Sequence, residues 1–446
     1  MDSTKYTLGI DVACRAAHVA TLTDQAGQVV WSNHRFLTST SDLTRLWSKV
    51  PAAVEVTVVV EPTRNAWVPV AAWLATHGAR IVLVPPEQSS DLRKYYEKHT
   101  KNDRLDSVIL SRLPLLHPEG LTEVDQFGPT DPMRRAVRRR DRFVQERTRA
   151  LNRLVALVEL LGPGYQNAFP SGLHNKTAFA VLIRFADPRA LKRFGATRLL
   201  TLVRRSSGGN YGEAKVRELL AAAHEAIGLY PGGQLDFAAL AEDITAEIRT
   251  ISNLDAEVAR LDERIAGYHA EADPKGIFTS APGVGPVLAP AMLGRIGDLE
   301  RFANQASIRA FTGLVPSTAE SGKWAAPGKI TKAGDPGLRY ALFLAANIAR
   351  QIDPTLAAKY RRLVLERGHH HNSALCHLAA TLITRLAACW KAGKPYEIRD
   401  LDGRVLTTAE GRQICADRYK LRPDERARIK KARPKAKTGQ VTTGVA

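Results

Sequence analysis

The sequence predicts an α/β domain with a mixed sheet at the N-terminus, a helical connector and a helical C-terminal domain. Up to residue 117, strand-like runs alternate with helical patterns in the order β-β-β-α-β-α-β-α, with strands at 6–13, 18–22, 28–36, 56–60 and 80–84. From residue 133 onward, apolar residues recur at three- and four-residue spacing, which indicates long helices. A chain of 446 residues is long enough for two or three such domains.

Composition favours a negatively charged partner. The 64 Lys and Arg residues outnumber the 45 Asp and Glu residues and give a net charge of +19. That excess favours nucleic acid over a membrane, because no amphipathic anchor or run of about eighteen apolar residues accompanies it. The N-terminus lacks a signal-peptide segment, and the four cysteines have neither metal-ligand nor disulfide spacing. We therefore expect a cytoplasmic protein with free thiols.

Isolated acids lie at the strands of the first domain. Asp11 lies in or at the end of the first strand, and Glu61 ends the fourth strand, before Pro62. A carboxylate in an apolar strand is costly unless it is paired or binds a metal ion. If the two strands are adjacent in the sheet, their acids lie close together.

A predicted helix from about residue 102 supplies two more acids, Asp103 and Asp106, which lie three residues apart on one helical face. Taken alone, they are also consistent with a solvated helix N-terminus whose acids complement the helix dipole. Together with Asp11 and Glu61 they predict four converging carboxylates, which need cations. Oxygen ligands favour Mg²⁺ or Mn²⁺, and two such ions about 4 Å apart are typical of phosphodiester chemistry.

The connector is predicted to span residues 118–275 and to begin with an arginine-rich helix over 133–161. The first half of this helix is dense enough in arginine to neutralise phosphates, although a solvent-exposed helix face is the simpler explanation of these arginines. The predicted nucleic-acid contacts are Arg134, Arg135, Arg138, Arg139 and Arg142.

Two further segments complete the connector. Residues 187–233 are less regular and predict loops around one or two short helices, a possible insertion. From 237 to 268 an apolar stripe predicts a coiled-coil or helical-hairpin seam, packed on a helix of the same chain or of a second one.

The C-terminal domain is predicted over residues 276–395. Gly283-Val-Gly285 resembles the turn of a helix-hairpin-helix, whose backbone N–H groups and following helix start can hold a DNA phosphate. Residues 396–446 are predicted to be a polar, basic tail that contacts nucleic acid.

The motifs in this order resemble a known family. Gly9-Ile-Asp11-Val, Val60-Glu61-Pro-Thr63 and Lys101-Asn-Asp103-Arg-Leu-Asp106 resemble the RNase H-like (RuvC-like) domain of insertion-sequence transposases with an Asp-Glu-Asp-Asp tetrad. Residues 280–339 are similar to the C-terminal serine domain of the same enzymes. Two departures stand out, because the family usually has Gly where Arg64 stands and Thr where Asn102 stands.

The resemblance implies a recombinase that cuts and rejoins DNA with Mg²⁺ and a serine nucleophile. It also implies a dimer or tetramer, and a structured bridge RNA that pairs with double-stranded donor and target DNA. The nucleophile corresponds to Ser321 in a turn-rich loop, with Ser317 as the fallback, although most Ser-Gly pairs merely cap turns. Basic residues that follow within twenty positions could hold the scissile phosphate: Lys323, Lys329, Lys332 and Arg339.

Three rival functions remain at this point. An RNase H-like junction-resolving nuclease would cleave with metal-activated water and form no protein–DNA adduct. A sugar-kinase or chaperone-type ATPase shares the Asp-bearing first strand and hairpin, but it needs a second Gly-rich phosphate loop, which the sequence lacks. A non-catalytic DNA-binding scaffold would tolerate the loss of any tetrad acid.

Overall fold

The structure is a computed structural model that describes residues 5–51, 55–84, 103–116, 122–124, 130–300, 302, 304–321, 324–332 and 334–425. The chain forms two compact units. Unit 1 comprises residues 1–128 and 297–303, and unit 2 comprises residues 129–296 and 304–446. The boundaries predicted at 275 and 395 fall inside unit 2 and stay predictions.

The described part of unit 1 contains a six-stranded mixed sheet and three helices. The strand order is β3-β2-β1-β4-β5-β6. The strands are β1 Lys5–Asp11, β2 His18–Asp24, β3 Val29–Phe36, β4 Glu55–Val60, β5 Arg80–Leu83 and β6 Thr122–Glu123, and the helices are α1 Thr40–Trp47, α2 Trp67–Thr76 and α3 Asp103–Leu116. The predicted element order up to α3 is therefore confirmed.

Register and side-chain alternation explain how the two faces of the sheet are covered. β1 pairs with β2 antiparallel and with β4 parallel. Leu8, Ile10, Val58 and Val60 belong to the large core of unit 1, which includes buried residues of α1 and α2. Val59 alternates to the opposite face and packs with apolar residues of α3. A β-branched, mostly apolar run such as 56–60 suits a strand that is buried on both faces.

Unit 2 is mainly helical, and its frame is a hairpin of two long helices, α4 Asp131–Glu159 and α10 Phe237–Ala272. Buried residues of α10 recur at helical spacing from Phe237 to Ile265, so the predicted seam is confirmed. Its partner helix belongs to the same chain. The helices between them are α5 Pro163–Asn167, α6 Lys176–Phe185, α7 Pro188–Phe194, α8 Ala196–Ser207 and α9 Glu213–Gly228.

The prediction of only one or two short helices within residues 187–233 is wrong, although loops do lie at 208–212 and 229–236. Three helices, α7 to α9, occupy most of this segment, and Leu191, Leu199, Val203 and Leu219 are buried in one core with α4 and α10. Glycine-rich turns between these helices hid their periodicity. The segment is therefore an integral part of the helical core.

The C-terminal part of unit 2 adds further helices and two hairpins. The helices are α11 Ile277–Ser280, α12 Leu288–Ile296, α13 Gln305–Thr312, α14 Pro336–Ala349, α15 Pro354–Leu365, α16 His371–Ala392 and α17 Thr408–Ile414, followed by a π-helix at Cys415–Tyr419. The strands are β7 Pro316–Ser321 paired with β8 Trp324–Ile330, and β9 Ile398–Arg399 paired with β10 Val405–Leu406.

Two further predictions need correction here. The segment around Ser321 is a β-hairpin rather than a turn-rich loop, because antiparallel pairing extends from Pro316 opposite Ile330 to Ser321 opposite Trp324. The basic tail predicted from residue 396 is folded as far as residue 425. Gly411 of α17 lies against the backbone of Ile352, and Arg361 pairs with Glu425. Residues 426–446 lie outside the described part.

Among the described residues, one helix, α16, is long and apolar enough to cross a membrane by length and composition. A core helix of a protein passes the same test. Leu375, Leu378, Leu382 and Leu386 are fully buried, and α16 packs against α13, α14 and α15. We therefore interpret α16 as the core helix of the C-terminal part.

Candidate active site

Two of the four predicted acids lie at the same edge of the sheet. Ile10 of β1 is opposite Val60 of β4 in a parallel register, so Asp11 and Glu61 follow at adjacent strand ends. Both side chains are partly buried. By strand alternation, Asp11 shares the face of Gly9, which is the face that α3 covers. The predicted neighbourhood of Asp11 and Glu61 is thus a consequence of sheet topology.

A glycine allows α3 to approach this face closely. A Cβ atom on Gly9 would lie 2.3 Å from the carbonyl oxygen of Ser107 and 2.3 Å from the amide nitrogen of Ser111. The helix is also bound to β2, because the hydroxyl groups of Thr21 and Ser107 are 2.8 Å apart and Thr23 donates to the Ser111 carbonyl at 3.1 Å. The helix start is thereby held beside the β1 strand end.

The other two predicted acids lie in the first turn of α3. Asp106 immediately precedes Ser107 and is 8% exposed. Asp103 is the first residue of α3, and its side chain lies outside the described residues. Three elements, the ends of β1 and β4 and the first turn of α3, therefore carry the four predicted acids.

The donor set fits a hard divalent cation in its chemistry. Asp11, Glu61 and Asp106 offer carboxylate oxygens, the ligands that Mg²⁺ and Mn²⁺ prefer. Among the described residues, however, no three Asp, Glu, His or Cys side chains form a group that could hold a metal ion. The Asp103 side chain lies outside the described residues, so the prediction of one four-acid cluster stays a prediction.

A buried histidine, which sequence reasoning missed, fixes the loop after Asp11. His18 is 2% exposed, its Nδ1 accepts a hydrogen bond from the amide of Ala13 at 3.1 Å, and its Nε2 lies 2.6 Å from the Thr38 hydroxyl. Because Nδ1 accepts, Nε2 carries the proton in the neutral ring. Burial lowers the pKa of His18. The sequence signal that could have indicated a buried histidine is a polar residue at the start of a mostly apolar strand.

Comparison with known proteins identifies the family of the chain. The family model of the DEDD transposases of IS110 type matches residues 8–163, which include all four acids. A second model, transposases of the IS116/IS110/IS902 family, matches residues 275–361. The chain belongs to the IS110/IS116 family of transposases. It is accordingly an insertion-element transposase, an enzyme that acts on DNA, and the DEDD domain implies dependence on a divalent metal ion.

Relatives support the assignment along most of the chain. A protein of the insertion element IS110 from Streptomyces coelicolor is 26% identical over 399 residues, which cover 88% of this chain and 95% of the relative. An IS116 protein from Streptomyces clavuligerus is 24% identical over 83% of this chain and 91% of its own length. A putative transposase of the IS117 mini-circle from Streptomyces coelicolor is 29% identical over 49% of this chain and 50% of its own.

The departure at Arg64 has a backbone explanation. Arg64 follows the Glu61 motif and adopts a left-handed conformation with φ of 51°. Glycine adopts this conformation without steric cost, whereas other residues rarely do. The position therefore favours the glycine that stands there in the family, and the transposase accepts strain beside Glu61.

The arginines of α4 divide into two groups. Arg140, Arg147 and Arg153 pair across the hairpin with Asp262, Asp255 and Glu247 of α10. Part of the arginine density therefore stabilises the antiparallel seam, an explanation that sequence reasoning missed. The available signal was the similar spacing, six to eight residues, of the two sets in opposite directions.

The predicted nucleic-acid contacts on α4 differ in availability. Arg135 and Arg138 have side chains that are 71% and 57% exposed, and Arg139 and Arg142 are also exposed. The Arg134 side chain is only 15% exposed and is paired with Asp131, so it stabilises the first turn of the helix. Four exposed guanidinium groups remain as candidates, of which Arg135 also pairs with Asp131 and Arg138 lies 3.6 Å from Asp335.

The two predicted phosphate-binding glycines also differ. A Cβ atom on Gly283 would lie 2.5 Å from the Ala345 carbonyl oxygen of α14, so this glycine serves helix packing. Gly285 is exposed, has open space around it and begins the turn that leads into α12. Only Gly285 therefore has the access that a phosphate contact requires.

The region around the predicted nucleophile is described in part. Ser317 and Ser321 lie in β7 and Lys329 lies in β8, but their side chains, and all of Lys323, are outside the described residues. Lys332 is exposed and left-handed, with φ of 56°. Arg339 donates to the carbonyl oxygens of Gly334 at 2.7 Å and Thr312 at 3.3 Å, which gives it a structural role at the start of α14.

Proposed function

We propose that this transposase cuts and rejoins DNA through a covalent intermediate on Ser321, with Asp11, Glu61, Asp103 and Asp106 holding Mg²⁺ or Mn²⁺. The observation that carries the proposal is the arrangement at the carboxyl-terminal ends of β1 and β4 in unit 1. The parallel register of β1 and β4 and the Gly9–Ser107 contact bring three acid-bearing elements to one place. The strand order β3-β2-β1-β4-β5 supports an RNase H-like (RuvC-like) catalytic fold.

The chemistry is a pair of transesterifications. The Ser321 oxygen forms a bond to the scissile phosphorus, and the bond from phosphorus to the departing DNA hydroxyl oxygen breaks. A hydroxyl of another DNA strand reverses the exchange, so no external energy source is needed. Serine is a poor nucleophile unless it is activated. A divalent cation held by the tetrad would stabilise the charge that develops on phosphate oxygens.

The remaining parts of the proposal concern partners. Exposed arginines on α4 and the backbone start of α12 at Gly285 can bind phosphates of double-stranded DNA or of a structured bridge RNA. Pairing with such an RNA would supply the choice of donor and target sequences. We further propose that the enzyme acts as a dimer or tetramer at the bacterial nucleoid.

Covalent trapping on a nicked DNA substrate tests the chemistry. With Mg²⁺, the wild type should leave a protein–DNA adduct at Ser321, and both Ser321→Ala and Asp11→Asn should leave none while circular dichroism shows that they remain folded. An undiminished adduct in Ser321→Ala would move the role to Ser317 or elsewhere. Cleavage without any adduct would favour the junction-resolving nuclease that uses metal-activated water.

A further inference from the structure

A second cationic surface lies far along the chain from the arginines of α4. Helix α16 packs against both α13 and α15. These three helices carry Arg309 on α13, Lys359 and Arg362 on α15, and His377 on α16. We call these four residues the Lys359 cluster. Arg309, Arg362 and His377 are exposed, and Lys359 is half-buried.

Lys359 is the centre of the cluster and has an unusual environment for an ammonium group. Its Nζ donates to the hydroxyl oxygen of Thr381 at 2.6 Å, and that hydroxyl donates in turn to the carbonyl oxygen of His377 at 2.9 Å. Within the described part of the chain, Lys359 has no carboxylate partner. An ammonium group has three donors, so Thr381 satisfies only one of them.

The neighbouring charges are positive. Burial lowers the pKa of Lys359, and Arg385, Arg362 and Arg309 lower it further. Burial also lowers the pKa of His377, with added contributions from His369, Lys359 and Arg367. The two groups are therefore within each other's electrostatic reach. Partial burial of an ammonium group among like charges is unfavourable for the isolated protein.

The acids nearest in sequence do not offset this charge. Asp353, which caps the N-terminus of α15, is 1% exposed and binds Arg385 and the Tyr396 hydroxyl. Glu425 is paired with Arg361. Glu366 lies one turn beyond Arg362, but the two form no ion pair in the described structure. The surface therefore has a surplus of positive charge on three packed helices, where ordinary protein surfaces mix the two signs.

We propose that the Lys359 cluster binds backbone phosphates of double-stranded DNA, as an interface separate from the one on α4. A phosphodiester is the anion that a DNA transposase binds in its substrate. Its oxygens can accept hydrogen bonds from the unused N–H groups of Lys359 and from those of Arg309 and Arg362. Protonated His377 would add a further donor. This inference rests on DNA as the substrate and does not depend on the proposed serine and metal chemistry.

The test measures binding of the full-length protein to duplex DNA of mixed sequence over a range of salt concentrations, in EDTA so that no chemistry occurs. Lys359→Gln and Arg362→Gln should each weaken binding roughly three- to tenfold and reduce the slope of log K against log salt by about 0.9. Lys359→Arg should retain both values. Arg217→Gln is the matched control, since Arg217 is an exposed arginine on α9 without an ion pair in the described residues.

Thermal stability separates binding from a structural role. Removal of a half-buried like charge should leave the Tm of Lys359→Gln unchanged or raise it while DNA binding falls. A lowered Tm with unchanged DNA affinity would overturn the proposal and make Lys359 structural. Weaker binding of an RNA hairpin with unchanged duplex binding would overturn the assignment to DNA. Because binding is measured in EDTA, failure of the proposed serine and metal chemistry would leave these results unchanged and remains distinguishable.

Discussion

At the residue scale, His18 is the side chain that holds the loop after Asp11 in place. Its neutral ring accepts from the Ala13 amide, and its pKa is lowered by burial. Because the folded pKa lies below the unfolded value of about 6.5, the unfolded chain binds more protons at acid pH. The stability that His18 contributes is therefore present above pH 6.5 and is lost as pH falls below it.

We predict that the free energy of unfolding of the wild type declines between about pH 7 and pH 5 more steeply than that of His18→Gln. Chemical denaturation at a series of pH values measures both curves. Burial also lowers the pKa of His34, His269 and His377, so these residues contribute to the pH dependence of both proteins. The difference between the two curves therefore measures the contribution of His18. Parallel curves would show that His18 does not titrate in this range.

At the element scale, the contact of α3 with β1 decides whether the acids of the tetrad can meet. Gly9→Ala would place a methyl group 2.3 Å from backbone atoms of Ser107 and Ser111, which no rotamer change relieves. We predict a loss of roughly 3 kcal/mol in stability and a loss of transposition activity, because α3 must move away from the sheet. Urea denaturation and a strand-transfer assay measure the two effects.

Gly267→Ala provides the control for that variant. Gly267 lies within α10, and no neighbouring atom lies within 4 Å of the position that a methyl group would take there. Alanine is a better helix former than glycine, so this change should stabilise the protein by about 0.5–1 kcal/mol and leave activity intact. Equal damage from both substitutions would contradict the special role of the Gly9 contact.

The two groups of arginines on α4 should respond differently to the same substitution. Arg142→Gln should leave the Tm unchanged and reduce the salt slope of nucleic-acid binding by about 0.9, because the side chain is exposed. Arg147→Gln removes one of the two partners of Asp255, the other being His174, and should cost about 1–2 kcal/mol of stability with little change in that slope. Identical effects of the two variants would refute this division of the arginines.

At the scale of the whole molecule, the net charge of +19 governs association with DNA. If six to ten phosphates are contacted, affinity should fall roughly 10³- to 10⁵-fold between about 50 and 200 mM salt. Fluorescence anisotropy with duplexes of unrelated sequence measures this dependence. A salt-independent affinity would show that the excess of Lys and Arg serves another purpose than backbone binding.

The sequence by itself determined the described elements from β1 to α3 and the helical seam of α10, and it led to the prediction of the four acids, whereas β6 was missed. These features follow from local periodicity and from the cost of an acid in an apolar strand, and both are visible in neighbouring residues. Sequence motifs also sufficed to identify the family. The roles of Arg140, Arg147 and Arg153 could not be read in this way, because their partners lie about 100 residues away on α10.

Only the tertiary structure decided which glycines and cations are available to a ligand. Gly283 is less accessible than Gly285 because α14 lies against it. Arg134 is less available than Arg142 because Asp131 pairs with it. The Lys359 cluster is invisible in the sequence, since its residues come from three helices that meet only through packing on α16. Local patterns determine secondary structure and residue chemistry, whereas burial and long-range pairing determine which charges remain free to act.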